Sequence, residues 1–311
     1  MPRPTFPRSL FELQQRFPDE AACRQYLVES RWPDGFRCPR CQGEKGLVLP
    51  SRALWRCQAC SLDTSLTAGT VMHGTRTPLT HWFWAAYLVA THTPGLSAVQ
   101  LQRQLGLLRY ETAWLMLHKL RSAMVRPARD LLTGTVEVDE AYLGGFIAGR
   151  PGGRTLGDKV VVVAAVEVRG EGSGRVRLQI VPDASGDSLL PFIKAHVAAG
   201  STVRTDGWTG YKHLAAGGFR HQRRVQGTPD RAGVILPRVH RVFGNLQTWI
   251  RGTHHGVSGK HLQAYLDEFV FRFNRRRTPM AAFQTLLGLG SQHTSPTYQA
   301  LVGKPGPARV E

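Results

Sequence analysis

The stretch TVEVDEAYLGG, Thr135 to Gly145, decides how the rest of the chain is read. Val136 and Val138 alternate with Glu137 and Asp139, and a period of two marks a half-buried strand, so Asp139 is expected to point away from the apolar face. Further on, STVRTDGWTG at 201–210 repeats the arrangement: a short β-prone run ends in Asp206 and is stopped by Gly207. Two strand-borne aspartates far apart in sequence are what a shared divalent metal site needs. Mg²⁺ is a hard cation that binds through one or two carboxylates plus substrate phosphate oxygens. Either aspartate alone reads as a turn former or helix cap.

Between and beyond these aspartates the pattern is mostly strands. KVVVVAAVEV (159–168) is a continuous apolar run suited to a central strand, and the Gly-rich turn at 170–174 links it to RVRLQIVPD (175–183) as a hairpin partner. Ser185 to Asp187 cap a helix striped with Leu189, Leu190, Ile193 and Val197. The strand at 201–206 follows. Three strands, a helix, then a strand with a second aspartate is the order of a ribonuclease H-like fold, an α/β mixed sheet flanked by helices. Residues 208–216 read as a short helix, and FRHQRRV (219–225) as a further strand or an extended basic loop. Pro237 opens the helix RVHRVFGNLQTWIRG, with Phe243, Leu246 and Ile250 on one face and Arg241, Asn245 and Thr248 on another. KHLQAYLDEFVFRFNRR is a second helix, packed through Leu262, Leu266, Phe269 and Phe273 and ending in cations.

Toward the N-terminus, Asp19 and Glu20 after Pro18 mark a helix start. Cys38-Pro-Arg-Cys41 and Cys57-Gln-Ala-Cys60 are two CxxC knuckles separated by fifteen residues. That separation places four thiolates at the corners of a tetrahedron, the closed geometry of a structural zinc. Trp55 is read as cover for the ribbon's small core, and Cys23, the fifth cysteine, as a buried small hydrophobe. LTHWFWAAYLVATH is apolar nearly all round, Thr93-Pro94-Gly95 breaks it, and Ser97 caps AVQLQRQLG. RYETAWLMLHKLRSAM follows, with Arg109, His118 and Arg121 expected on open faces, so the pair reads as a helix-turn-helix-like module. The expected division is a helical segment (1–33), a zinc ribbon (34–76), the helix-turn-helix-like module (77–130), the α/β domain (131–288) and a partly disordered tail (289–311).

The chain of 311 residues carries 40 basic against 22 acidic residues, a formal charge of +18, with arginines clustered at 223–224, 238–241 and 272–277. Such an excess points to a polyanion, and nucleic acid above all. An anionic membrane is disfavoured because no run approaches eighteen apolar residues. MPRPTFPRSLFEL lacks the apolar core of a secretory signal, so a cytoplasmic location is expected.

The blocks RWPDGFRCPRC, the second CxxC, LTHWFWAAYLVATHTPGLSAVQLQRQLG, ETAWLMLHKLR, VEVDEAYLGG, TDGWTGY and HRVFGNLQTWIRGTHHGVSGKHLQAYLDEFVFRFNRR span nearly the whole chain. Together they resemble bacterial insertion-sequence transposases that join an N-terminal zinc ribbon to a DDE-type, ribonuclease H-like catalytic domain. The resemblance implies that Asp139 and Asp206 hold catalytic Mg²⁺ or Mn²⁺. Most DDE enzymes supply a glutamate from a later helix as third group. The matching helix here carries Asn245, as the subgroup tends to, and an amide oxygen is a weaker ligand. His240 is the other candidate third group, and Glu268 is expected to face solvent. Lys260 matches a basic residue that contacts terminal DNA phosphates, and Arg109, Arg121, Arg241, Arg275 and Arg276 complete the expected DNA contacts. The resemblance also implies cutting and joining at terminal inverted repeats and target DNA, a homo-oligomer that holds two ends, and a nucleoid-associated location. Two other functions are consistent with the sequence: a non-catalytic DNA-binding regulator descended from a transposase, with Asn245 as a lost glutamate, and a ribonuclease H-like nuclease that cuts without joining.

Overall fold

The computed structural model describes residues 7–50, 53–126, 129–144, 159–225, 235–292, 296–303 and 309–310. The chain divides into two compact units, one of residues 1–126 with 277–303 and one of residues 127–276 with 304–311. Among the described residues no helix is long and apolar enough to cross a membrane.

In the first unit, α1 (Leu10–Arg16) precedes α2 (Glu20–Arg31), whose N-cap Asp19 accepts from the Ala22 backbone N–H at 2.9 Å. That cap satisfies a backbone donor the helix itself leaves open. The ribbon is a three-stranded antiparallel sheet of β1 (Gly46–Leu49), β2 (Leu54–Cys57) and β3 (Asp63–Ser65). Arg31, at the end of α2, donates to the carbonyls of Ser65, Leu66 and Ala68 just past β3, which ties helix to ribbon. Helix α3 (Leu79–Thr91) is buried on nearly every side. Pro78 gives it no side-chain cap, and Glu20 supplies one, accepting from the backbone N–H and hydroxyl of Thr80 at 2.9 and 3.1 Å.

Helix α4 (Ala98–Gln104), capped by Ser97, packs on α5 (Tyr110–Ser122) through a turn in which Gly106 takes φ 61°. The exposed end of this pair is the start of α5, where Leu108, Arg109 and Tyr110 face outward. Its other end is closed: His118, Lys119 and Arg121 are all buried. Arg121 was expected on an open face as a DNA contact, but it is only 2 % exposed, because neighbouring elements wrap the last turns of α5 on all sides. A second departure concerns the C-terminus. The helix Pro279–Gln292 packs on α2 and α3, with the Phe283 ring against Phe17, Phe83 and Tyr87 and with Phe283, Leu286 and Leu287 buried. Residues 277–303 therefore group with the first unit. Of the tail read as partly disordered, Tyr298–Val302 is helical, and residues 293–295, 304–308 and 311 lie outside the described residues.

The second unit is built on a five-stranded sheet ordered β6-β5-β4-β7-β8. Its strands are β4 (Thr135–Leu143), β5 (Val160–Arg169), β6 (Gly172–Val181), β7 (Thr202–Thr205) and β8 (Arg220–Arg223). The first three pair antiparallel, and β4, β7 and β8 run parallel. This mixed sheet with its helices is the ribonuclease H-like arrangement expected from the order of elements. Helix α6 (Gly186–His196) covers one face through Leu189, Phe192 and Ile193, packed with Val136, Val138, Val163 and Val203. Helices α7 (Pro237–Trp249) and α8 (Gly259–Asn274) cover the other through Val239, Val242, Leu246, Leu262 and Leu266, packed with Val162, Ala164 and Leu178. Cover on both faces explains why β5 is an unbroken apolar run.

It also corrects the half-buried reading of β4: Glu137 is 1 % and Asp139 9 % exposed, since the face carrying them lies under the second helical layer. Glu268 likewise is buried, beside Arg272 at 3.8 Å, where solvent exposure was expected. The free edge of β6 is closed by side-chain amides of α8 standing in for a strand. Asn274 accepts from Val176 N at 2.8 Å and Gln263 from Ile180 N at 3.0 Å. At the base of the hairpin, burial would raise the carboxyl of Glu167. The Arg175 guanidinium and backbone N–H, with the Thr133 N–H, instead hold it down at about 2.

Candidate active site

The β4–β7 register gives the offset between the two aspartates. In the β4–β7 pair Val136 stands opposite Val203 and Glu137 opposite Arg204. The same offset carried two residues on sets Asp139 opposite Asp206, the residue that follows β7. Adjacent strands lie about 4.8 Å apart, and positions two apart share a face. Glu137 and Asp139 therefore leave β4 on the side of α7.

Each aspartate is held by its surroundings. The Asp206 side chain accepts from Trp208 N at 2.8 Å, the indole of Trp208 donates to the Ala184 carbonyl at 2.7 Å, and the Tyr211 hydroxyl donates to Glu140 at 2.7 Å. The TDGWTGY block is thus a turn bolted to β4 through Glu140, next to Asp139. Gly210 is required in it, because a Cβ there would sit 2.6 Å from the Ala184 carbonyl oxygen. Burial pushes the Tyr211 phenol well above its ordinary value, and the negative charges of Glu140, Asp139 and Asp206 push it the same way. The convergence of those charges on one buried hydroxyl agrees with the register.

Helix α7 brings His240, whose Nε2 lies 3.4 Å from Asp139 Oδ2. Burial lowers the imidazole below its ordinary value, with Glu137 and Asp206 pulling the other way. The placement of this helix depends on Glu137, which the sequence reading treated only as one step of an alternation. Its Oε2 accepts from the backbone N–H groups of Arg238 and Val239 at 2.8 and 3.1 Å, and its Oε1 accepts from the Arg238 guanidinium at 3.0 Å. Helix α7 opens at Leu236-Pro237 with no side-chain cap of its own. A buried carboxylate two residues from Asp139 therefore supplies the negative charge that a helix N-terminus attracts. No local signal marks this, because the partner is 101 residues away.

The remaining expected residues are not gathered at this point. Asn245, on the stripe of α7 that includes Arg241 and Thr248, is exposed, and its side chain makes no hydrogen bond among the described residues. Lys260 is exposed at the start of α8 and Arg109 at the start of α5. The Arg275 and Arg276 guanidinium groups stack over Phe271 and Phe273, at 4.0 and 4.2 Å from the ring centroids, and bond to backbone carbonyls of their own helix. Gly144 takes φ 87°, which makes the end of β4 a turn, and Gly145 lies outside the described residues.

The metal-ligating cysteines form a separate centre. The Sγ atoms of Cys38, Cys41, Cys57 and Cys60 all lie within 4.8 Å of one another, with Cys38–Cys60 and Cys41–Cys57 each at 3.6 Å. Zinc–sulfur bonds of about 2.3 Å give a tetrahedron with an edge of about 3.8 Å, so the four thiols fit a closed zinc site. The two knuckles repeat one hydrogen-bond pattern. Cys38 N donates to Gly43 O and Gln42 N to Cys38 O, and Cys57 N donates to Leu62 O and Ser61 N to Cys57 O. Gln42 and Ser61, each following a second cysteine, are left-handed at φ 61° and 56°. Trp55 packs on Trp32 with ring centroids 5.2 Å apart, which makes it ribbon core. Chelation, or Cys38→Ser, is expected to release zinc and open the ribbon, read by elemental analysis and tryptophan fluorescence; a variant that keeps its full zinc content would count against the site. Among the described residues no other group of three or more His, Cys, Asp or Glu converges in this way, and Asp139, Asp206 and His240 do not form such a group.

Comparison with known proteins gives matches over both regions of the chain. Residues 131–274 match the ISXO2-like transposase domain, and residues 18–63 match the transposase zinc-ribbon domain. An uncharacterized protein in transposable element ISH50 of Halobacterium salinarum (strain ATCC 700922 / JCM 11081 / NRC-1) is 26 % identical over 291 residues, covering 87 % of this chain and 97 % of that protein. Among solved structures, a chain from the cryoEM structure of the simian T-cell lymphotropic virus intasome in complex with PP2A regulatory subunit B56 gamma covers 73 % of this chain and 77 % of its own. Its identity is 15 % and its TM-score 0.27, too low to bear on the fold.

Proposed function

Because the chain belongs to the insertion-sequence transposases that join a zinc ribbon to an ISXO2-like domain, we propose that it cuts and joins DNA at transposon ends, with Asp139 and Asp206 as the catalytic carboxylates. The observation that supports this most is the β4–β7 register, whose offset carries Asp139 within β4 level with Asp206 just past β7.

Two carboxylates suit Mg²⁺ or Mn²⁺, which would take part of their coordination from substrate phosphate oxygens. Such an ion supplies charge neutralisation for in-line displacement at phosphorus, first by water and then by the freed 3′-hydroxyl. The chain's own residues position the reaction. Glu140 and Tyr211 hold the two strand ends together, and Glu137 holds α7. His240 stands beside Asp139 as a third group, and Asn245 with Arg241 meets DNA from the exposed stripe of α7. The N-terminal end of α5, with Arg109, and the basic Lys260 complete the contacts to double-stranded DNA, and two transposon ends call for more than one copy of the chain. Arg121, being buried, is not among the contacts.

The test is to mix purified protein with labelled inverted-repeat DNA and Mg²⁺. Joined product is expected. Binding without cleavage would favour a regulator, and cleavage without joined product a nuclease.

A further inference from the structure

The acidic groups of the α/β unit are unevenly distributed. Arg169 and Arg175 pair with Glu167, Arg238 with Glu137, and Arg272 with Glu268. Arg204, Arg220, Arg223 and Arg224, at the opposite edge of the sheet, form no ion pair among the described residues. Arg204 donates to Gln222 at 2.9 Å, Arg220 to the Gly200 carbonyl at 3.1 Å, and Arg223 to the Gly207 carbonyl at 3.1 Å, all neutral acceptors that hold a guanidinium without cancelling its charge.

These cations are aligned with the aspartates. Strands β7 and β8 pair in parallel with Thr202 opposite Arg220 and Arg204 opposite Gln222. Arg224 N donates to Thr205 O at 2.9 Å, and the same offset sets Arg224 opposite Asp206. By these offsets Asp139 within β4, Asp206 just past β7 and Arg224 just past β8 fall in one row across three parallel strands. Arg220, Gln222 and Arg224 share a strand face and follow one another at about 6.6 Å, a step comparable to the separation of neighbouring phosphates along one nucleic-acid strand. Arg223 reaches the carbonyl of Gly207, the residue after Asp206.

Charge on an edge strand also guards against sheet-to-sheet association. Guarding alone does not require this alignment with the aspartates. We propose that this edge is a phosphate track: Arg204, Arg220, Arg223 and Arg224 hold the backbone of the DNA strand adjoining the scissile phosphate and lead it to Asp139 and Asp206. The inference rests on the DNA-cleaving function proposed above.

The full-length protein and an Arg204→Gln/Arg220→Gln/Arg224→Gln variant are compared for binding of labelled inverted-repeat duplex between 50 and 200 mM salt, about the range over which such slopes are measured. Each lost phosphate contact lowers the slope of log K against log salt by about 0.9, so the variant should lose about 2.7 and the single variants about 0.9 each. Arg169→Gln, on the far side of the sheet, should leave the slope unchanged. An unaltered slope in the triple variant, with wild type binding and cleaving normally, overturns the track and leaves the proposed function standing; self-association of that variant would then assign the row to edge protection. Wild type that binds without cleaving defeats the catalytic reading and leaves the slope comparison decisive, and wild type with no affinity for DNA overturns both. If the triple variant fails to fold, the single variants Arg220→Gln and Arg224→Gln, both at exposed positions, carry the test.

Discussion

Asp139→Asn and Asp206→Asn proteins are expected to cleave inverted-repeat DNA on the order of 10³-fold more slowly than wild type while binding it with unchanged affinity. The substitution removes a charge and keeps a shape. An asparagine oxygen at 206 can still accept from Trp208 N, so the turn that leads to Tyr211 should survive. At 139 the side chain lies under the helical layer beside His240, and an amide fills the same volume. What each variant lacks is half of the negative charge on which a divalent ion depends. The two losses should not add, because either one opens the site. Mn²⁺ titration followed by electron paramagnetic resonance separates this from misfolding, since weak Mn²⁺ uptake with an unchanged melting curve is the expected pair of results. Cleavage within tenfold of wild type in either variant would remove that residue from the catalytic role.

Local pattern made part of this legible and tertiary cover hid the rest. The four cysteines, the apolar run of β5 and the abrupt stop at Asp206-Gly207 are readable because each depends on neighbours in the chain. The alternation in β4 states correctly that Val136 and Glu137 point to opposite sides. It is silent on whether the second side is open, and helices formed a hundred residues later close it. Glu268 and Arg121 look like surface groups for that reason, since a charged residue looks exposed until the element that buries it is known. The return of residues 279–292 onto α2 and α3 is invisible for the same cause. Their apolar residues fit any core, and only the rings of Phe17, Phe83 and Tyr87 identify which one.

Glu137→Ala should destabilise the α/β unit by about 3–5 kcal/mol, the cost of stranding a buried partner of opposite charge. The Arg238 side chain is 16 % exposed and its guanidinium also bonds the Gly170 and Gly172 carbonyls, so it is not free to swing into solvent. The same change uncaps the Arg238 and Val239 backbone donors at the start of α7. Glu137→Gln should cost less, about 1–3 kcal/mol, because an amide oxygen in the place of Oε2 still accepts from both of them and only the bond from the Arg238 guanidinium to Oε1 is lost. Urea unfolding followed by circular dichroism measures both, and an alanine variant within about 1 kcal/mol of wild type would show that the carboxylate does not hold the helix. The functional consequence is separable from stability. His240 lies two residues beyond Arg238, so a loosened helix start moves the imidazole away from Asp139 before the core of α7 lets go. Under conditions where both variants remain folded, cleavage should therefore fall further in Glu137→Ala than in Glu137→Gln, although neither residue touches the scissile phosphate.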